Sequence, residues 1–265
     1  MSTTPTIDDL PAGRLAPDPA AAPAIARVLA QARFDATVLL RNGEQLLLTL
    51  VLPALLLVAL AVTSVPDLGR ERRIDLATPG VLALAVLSTA FTGQAIGTGF
   101  DRRYGVLRLL GTTPLGRRGL LAGRALAVLA VEVVQIAVLG LLGAALGWRP
   151  DVGGVLPAAL AVLVATAAFV SLGLLLAGTL RAEATLAVAN GLYLLLLAVG
   201  GVVIPAGRLP AAVEPLVSLL PSAALGQGLR DVLLHGSGLP VQSVVVLLVW
   251  TGIGGVLTAR TFRWS

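Results

Sequence analysis

Five stretches of this chain carry no charged residue: Leu46–Val65, Gly80–Phe100, Gly154–Leu180, Ala184–Ile204 and Val241–Ala259. A helix rises about 1.5 Å per residue, so about 20 residues cross a hydrocarbon layer of about 30 Å. A sixth run, Gly119–Trp148, is interrupted only by Arg124 and Glu132. The chain as a whole is 57% hydrophobic and 12% charged, with mean hydropathy +0.93. A soluble domain could not cover that much apolar surface. The sequence therefore predicts an all-α polytopic membrane protein with six transmembrane helices.

Around these runs the chain changes character. Residues 1–23 are rich in Pro and Ala, carry Asp8, Asp9 and Asp18, and lack both an apolar core and a basic start. They read as a disordered tail rather than a signal peptide. From Ala24, Ile25, Val28, Leu29, Ala32, Ala36, Leu39 and Leu40 follow helical spacing, with Arg27, Gln31, Asp35 and Arg41 opposite and Asn42-Gly43 as a stop. This amphipathic helix is too polar to span. It is expected to lie on the membrane surface against lipid head groups, or else on a partner protein. The six-span domain is expected over 24–265, with the interfacial helix at 24–45 and spans near 46–65, 80–100, 119–148, 154–180, 184–204 and 241–259. Pro53 should kink the first span, where neighbouring helices can compensate. Pro66–Pro79 reads as a loop. Trp148 should mark the interface at the end of the third span. Gly93-x-x-x-Gly97 offers a close-packing face. Pro205–Pro240 is too broken by Pro and Gly to cross. It should form short helices, one within Leu209–Leu220 and one capped by Ser222 and closed at His235-Gly236.

The densest charge lies in Phe100–Leu126, where Arg102, Arg103, Arg108, Arg117, Arg118 and Arg124 face a single acid, Asp101. A basic loop between two spans stays in the cytoplasm. With that loop, the N-terminal segment, Arg181 and the C-terminus on one side, twelve arginines face six on the other, leaving Arg124 just inside a span. Both termini are thus expected to be cytoplasmic. The net charge of +5 belongs to these loops and implies no nucleic-acid partner. All nineteen basic residues are arginine. With so much Ala, Gly, Leu and Val, this suggests a GC-rich bacterial genome and hence the bacterial inner membrane. A Walker P-loop needs a lysine to reach the β/γ-phosphates, so none exists in this chain.

In this order the features resemble the membrane subunit (permease) of type-2 ATP-binding-cassette exporters, the class that includes bacterial drug-efflux permeases. Three places carry the likeness over about residues 24–265. The first is the amphipathic helix running into LLRNGEQLLLTLVLPALLL, with Arg41-Asn42 before a span containing Pro53. The second is the basic loop, with Gly105-Val106-Leu107, then Leu109-Leu110-Gly111-Thr112-Thr113-Pro114-Leu115 and Gly123-Arg124. The third is Pro215–Gly236. The family often opens its basic loop with a run including Glu, whereas this chain has Asp101-Arg102-Arg103-Tyr104, which leaves open which acid meets the ATPase. The resemblance implies six helices per subunit and a 2+2 assembly. In it, two copies of the chain (or one copy and a related permease) each dock a separate ATPase that carries ATP and magnesium. No cofactor is expected in this chain, and it is not expected to be an enzyme. The basic loop would act as a coupling helix, with Asp101, Arg102, Arg103, Gly105, Thr113, Pro114, Arg117 and Arg118 as its contact residues.

Within the spans, polar residues are few. Glu132 is the only acid deep in any of them, and Gln135 lies one turn away on the same face. An ionised carboxylate there costs at least about 2.5–3.5 kcal/mol, so it should be paired, protonated or facing water. Glu132, Gln135, Gln94 and Asn190 are candidates for the substrate path or subunit interface. Structural hydrogen bonds between helices are the other reading for each. A proton-coupled secondary transporter using Glu132 is the alternative function. A membrane-embedded enzyme would need a nucleophile–base pair or metal cluster, and the chain has no cysteine and one histidine, His235.

Overall fold

The computed structural model describes residues 21–63, 72–202, 212–236 and 238–262. The tail at 1–20, most of the expected 66–79 loop's first half, the end of the fifth expected span, and Arg70, Arg208, Arg263 and Trp264 lie outside the described residues. Among the described residues the fold is helical throughout, without strands. Five helices are long and apolar enough to cross a membrane, and Thr49–Val62 is a shorter apolar helix.

The chain opens with α1 (Ala24–Arg41). It continues through α2 (Gly43–Leu46), a π-helical turn at Leu47–Val51 and α3 (Leu52–Val62). Then α4 (Arg73–Leu87) passes through a second π turn, Ser88–Gly93, into α5 (Gln94–Arg103). This helix starts at Arg73, not Gly80. Arg72 forms a two-pronged ion pair with Asp75 at 2.7 and 3.1 Å, and Arg73 Nε donates to the Leu60 carbonyl at 3.2 Å. The acid in the first turn suits the helix dipole, and Pro79 sits inside the helix. Residues 73–79, read as loop, are therefore helical.

The basic loop holds α6 (Val106–Gly111). The chain then runs through α7 (Gly116–Ala145), α8 (Val155–Thr179) and α9 (Ala182–Val199). Two short helices, α10 (Glu214–Ser218) and α11 (Pro221–His235), precede α12 (Val241–Thr261). The fifth expected span thus stops as helix at Val199. Gly201 takes a left-handed φ of +71° and turns the chain away. Ser222 does not cap α11; Pro221 fills the first turn, and the Ser222 hydroxyl donates to the Gly200 carbonyl at 3.0 Å. Gly236 closes the helix in the left-handed region, as read.

The composite helix α4–α5 is the centre of the bundle. It is buried from Ile74 through Thr92 and packs on α3, α7, α8, α9 and α11. In lipid, apolar faces gain little by meeting one another, so close approach at small residues carries the packing. A Cβ at Gly143 would come within 2.8 Å of Thr78 Cγ2, and one at Gly173 within 2.8 Å of the Phe91 carbonyl oxygen. The Gly93–Gly97 face is not used this way, for Gly97 is exposed with open space around it. Trp148 is buried against the strip at Gly140 and Gly143 rather than facing outward.

Candidate functional site

The basic loop is built from two glycine turns and a helix between them. Gly105 at φ +75° ends α5 and starts α6; Gly116 at φ +65° starts α7. A side chain would strain both turns. Leu107 is buried beneath α6, and the Thr112 and Thr113 hydroxyls close its end on the Leu109 and Leu110 carbonyls at 2.7 and 2.6 Å. The outer face carries Arg108 with Leu109, which is 69% exposed, and at the preceding turn Tyr104, 71% exposed, stacks on Phe100 with the Arg103 guanidinium over its ring. Arg117 and Arg118 are exposed in the first turn of α7, where cations oppose the helix dipole by about 0.3–1 kcal/mol. This end therefore presents a knob of two apolar side chains within a cationic rim.

The other predicted charged residues of the loop are engaged within the chain. Asp101 pairs with Arg124 of α7, Arg103 with Glu183 in the first turn of α9, and Arg102 donates to the Leu180 carbonyl at the end of α8. These three bind α5 to its neighbours and are committed within the chain. Pro114 offers its carbonyl to Arg27 of α1. α1 runs along the loop-proximal part of α7, a 30-residue helix. At about 1.5 Å per residue α7 exceeds a hydrocarbon layer of about 30 Å by some ten residues. On its far side α1 exposes Ile25, Leu29, Phe34 and Val38.

The span candidates separate into three places. Gln135 is fully buried. Its Nε2 donates to the Thr49 carbonyl at 3.0 Å, and its Oε1 accepts from Thr89 Oγ1 at 2.9 Å. Pro53 has no N–H for the carbonyl four residues back, which is that of Thr49. Thus Gln135 serves the proline's carbonyl and joins the two π turns. Glu132, 1% exposed, accepts from Thr166 of α8 at 2.6 Å through Oε2, while Oε1 has no partner among the described residues. Gln94 donates to Thr98 Oγ1 at 3.2 Å, and Arg124 Nη1 donates to the same oxygen at 2.8 Å. Gln94 therefore belongs to the loop-end polar chain, not to the Glu132 site. Asn190 is exposed on α9, apart from all of them.

Sequence reasoning missed two residues. Arg230, counted as an outer-loop charge, is 2% exposed, and its guanidinium donates to the Leu76, Gly201 and Val202 carbonyls. Burial lowers its pKa to about 10, with Asp231 opposing, so it stays protonated at neutral pH. The i−4, i+3 and i+4 positions around it in α11 (Gly226, Leu233, Leu234) gave a hint, because Arg230 lies on that apolar side. Asp35 of α1, read as solvent-side, approaches Arg124. Burial raises its carboxyl pKa; Gln31 and Arg124 lower it, and Asp101 raises it.

Compared with known proteins, the chain matches the family model for the ABC-2 type transporter over residues 27–234. No curated protein matches it.

Proposed function

The chain belongs to the ABC-2 type transporter family, a multi-pass membrane permease subunit, and from that premise we propose that it works in an ATP-driven exporter. A separate ATPase would bind on the basic-loop side, carry ATP and magnesium, and drive alternating access in a pair of these subunits or one subunit with a related permease. The observation that carries this reading is the knob of Tyr104, Arg108, Leu109, Arg117 and Arg118, which the two glycine turns hold clear of the bundle. Exposed apolar side chains inside a cationic rim suit a groove on a protein partner better than bulk solvent. The loop and both termini would then be cytoplasmic, in a bacterial inner membrane, with α1 lying in the lipid interface on its exposed apolar side. The cargo would be an amphipathic drug, lipid or lipid-linked compound leaving the cytoplasm.

A tagged chain purified in mild detergent from its native host should bring down a Walker-motif ATPase at near-equal stoichiometry. Charge reversal by Arg117→Glu with Arg118→Glu should lose that partner while the chain still inserts. A chain that purifies without any nucleotide-binding partner, even after crosslinking, would overturn the proposal. The proton-coupled alternative rests on Glu132 and its one unpartnered oxygen. The other acids of the spanning helices, Asp75, Asp101 and Glu183, sit near helix ends in ion pairs, which leaves none of them deep in a span to relay a proton. Glu132→Gln would abolish flux under that alternative and preserve ATP-driven flux under the favoured one.

A further inference from the structure

Three elements meet around Arg124, and their polar atoms do not balance. The guanidinium is 8% exposed. Nη1 donates to Thr98, Nη2 pairs with Asp101 at the end of α5, and Nε is buried with no partner among the described residues. Across the gap lies Asp35 of α1. Its Oδ1 accepts from Gln31 at 2.9 Å, while Oδ2 is buried with no partner among the described residues. A buried donor and a buried acceptor, both unpaired, thus belong to neighbouring groups of opposite charge. Each such atom costs about 1–3 kcal/mol, so the arrangement favours any shift that joins them. Two carboxylates also compete for one guanidinium, which can grip only one of them in its two-pronged geometry.

The α1–α7 contact permits such a shift. α7 meets α1 at Gly119 and Gly123, and a Cβ at Gly123 would come within 2.9 Å of Gln31 Cγ. At Gly123 α7 offers backbone rather than a side chain to Gln31, so nothing on that residue itself fixes the register of α1. The end of α1 nearer the loop is tied to it through Arg27 and the Pro114 carbonyl. A displacement of the loop therefore pulls on α1.

We propose that Arg124 is a two-position latch, paired with Asp101 of α5 in this conformation and with Asp35 of α1 in another, so that movement of the basic loop is passed to the interfacial helix. The trigger, an ATPase pushing on the loop, rests on the exporter reading; the two positions do not. The raised proton affinity of Asp35 fits a carboxylate that lacks its cation in this conformation.

The chain has no native cysteine, so a spin-label pair is easily placed at Thr37→Cys on α1 and Ala184→Cys at the start of α9, both exposed. Electron–electron distance measurements on the detergent-purified permease alone decide the latch. Asp101→Asn should add a distance population that is absent, or minor, without that change, while Asp35→Asn should keep the original one. If Asp101→Asn does not fold, Arg124→Gln replaces it; adding Asp35→Asn to Arg124→Gln should then change nothing further. Identical distributions with and without Asp101→Asn, or an Asp35 effect that survives Arg124→Gln, overturns the latch. With a co-purified ATPase and Mg-ATP, the otherwise unaltered pair should move to the Asp101→Asn distance, and Asp35→Asn should abolish the movement. Movement undiminished by Asp35→Asn also overturns it. Failure to co-purify an ATPase would sink the exporter reading and leave the first comparison valid.

Discussion

At the basic-loop end of the bundle, Arg103 and Arg124 are held by the carboxylates of Glu183 and Asp101 on other helices. At the opposite end, Arg230 is held by the carbonyls of Leu76, Gly201 and Val202. The chemistry of the cation is the same, but the partners differ in freedom. A carboxylate sits on a rotatable stem and can be exchanged for another. The Gly201 and Val202 carbonyls, just past the close of α9, and that of Leu76, in the first turn of α4, are fixed by the backbone. The first end is thus built to be rearranged and the second to stay put. Stable packing at the Arg230 end would give a moving basic-loop end something to work against.

The largest expected effect lies at the fixed end. Arg230→Met removes the cation that the buried Gly201 and Val202 carbonyls face, each lost bond costing about 1–3 kcal/mol. The loss should be at least about 2 kcal/mol, read as a lower midpoint in denaturant titration of the purified protein. An unchanged midpoint would mean that Arg230 is not the clamp of this end. Next comes the middle of the bundle. Gln135→Leu strands the Thr49 carbonyl and the Thr89 hydroxyl, and should cost about 1–2 kcal/mol by the same titration. Adding Thr89→Val should cost less in that background than alone, because the two side chains share one bond.

The contrast between the ends also shows what could be read from sequence. The long apolar runs, the stop at Asn42 and the glycine close of α11 were legible, because helical period, span length and backbone conformation are local properties. The partners of polar residues were not. Nothing near Pro53 says that its orphaned carbonyl will be met by Gln135, 82 positions on. Arg230 counts as a loop charge in any topology tally, yet the turn at Gly201 brings two carbonyls to it and the start of α4 a third. The helical stretch at 73–79 was hidden because Pro79 and clustered charge look like a loop until Arg72 is seen to neutralise Asp75. For the basic loop, density of arginine identified the segment, but not which arginines face inward. That depends on where α8 and α9 end, a tertiary fact.

Smaller effects sharpen the reading of the exchangeable end. Arg103 and Glu183 are half-exposed or more, and exposed pairs contribute about 0–1 kcal/mol. Arg103→Ala should lower stability by less than about 1 kcal/mol, and the loss should shrink in high salt. A loss as large as that of Arg230→Met would erase the distinction between the two ends.

The smallest effect has a sign rather than a size. Asp35 binds its proton more tightly in the folded chain than its ordinary value of 3.8 allows, chiefly because burial disfavours the carboxylate. The folded state therefore holds more proton than the unfolded state in the window just above that value, and stability falls as pH rises through it. A carboxylate already gripped by Arg124 would give the opposite slope, with its stabilisation lost as pH falls. The measurement is the difference in unfolding midpoint between the unaltered chain and Asp35→Asn, taken from about pH 4 to about pH 7 so that other carboxylates cancel. The asparagine form should gain on the unaltered chain as pH rises. A gain in the other direction would place the guanidinium on Asp35 at rest, and the inner end would then be set in the reverse of the position described here.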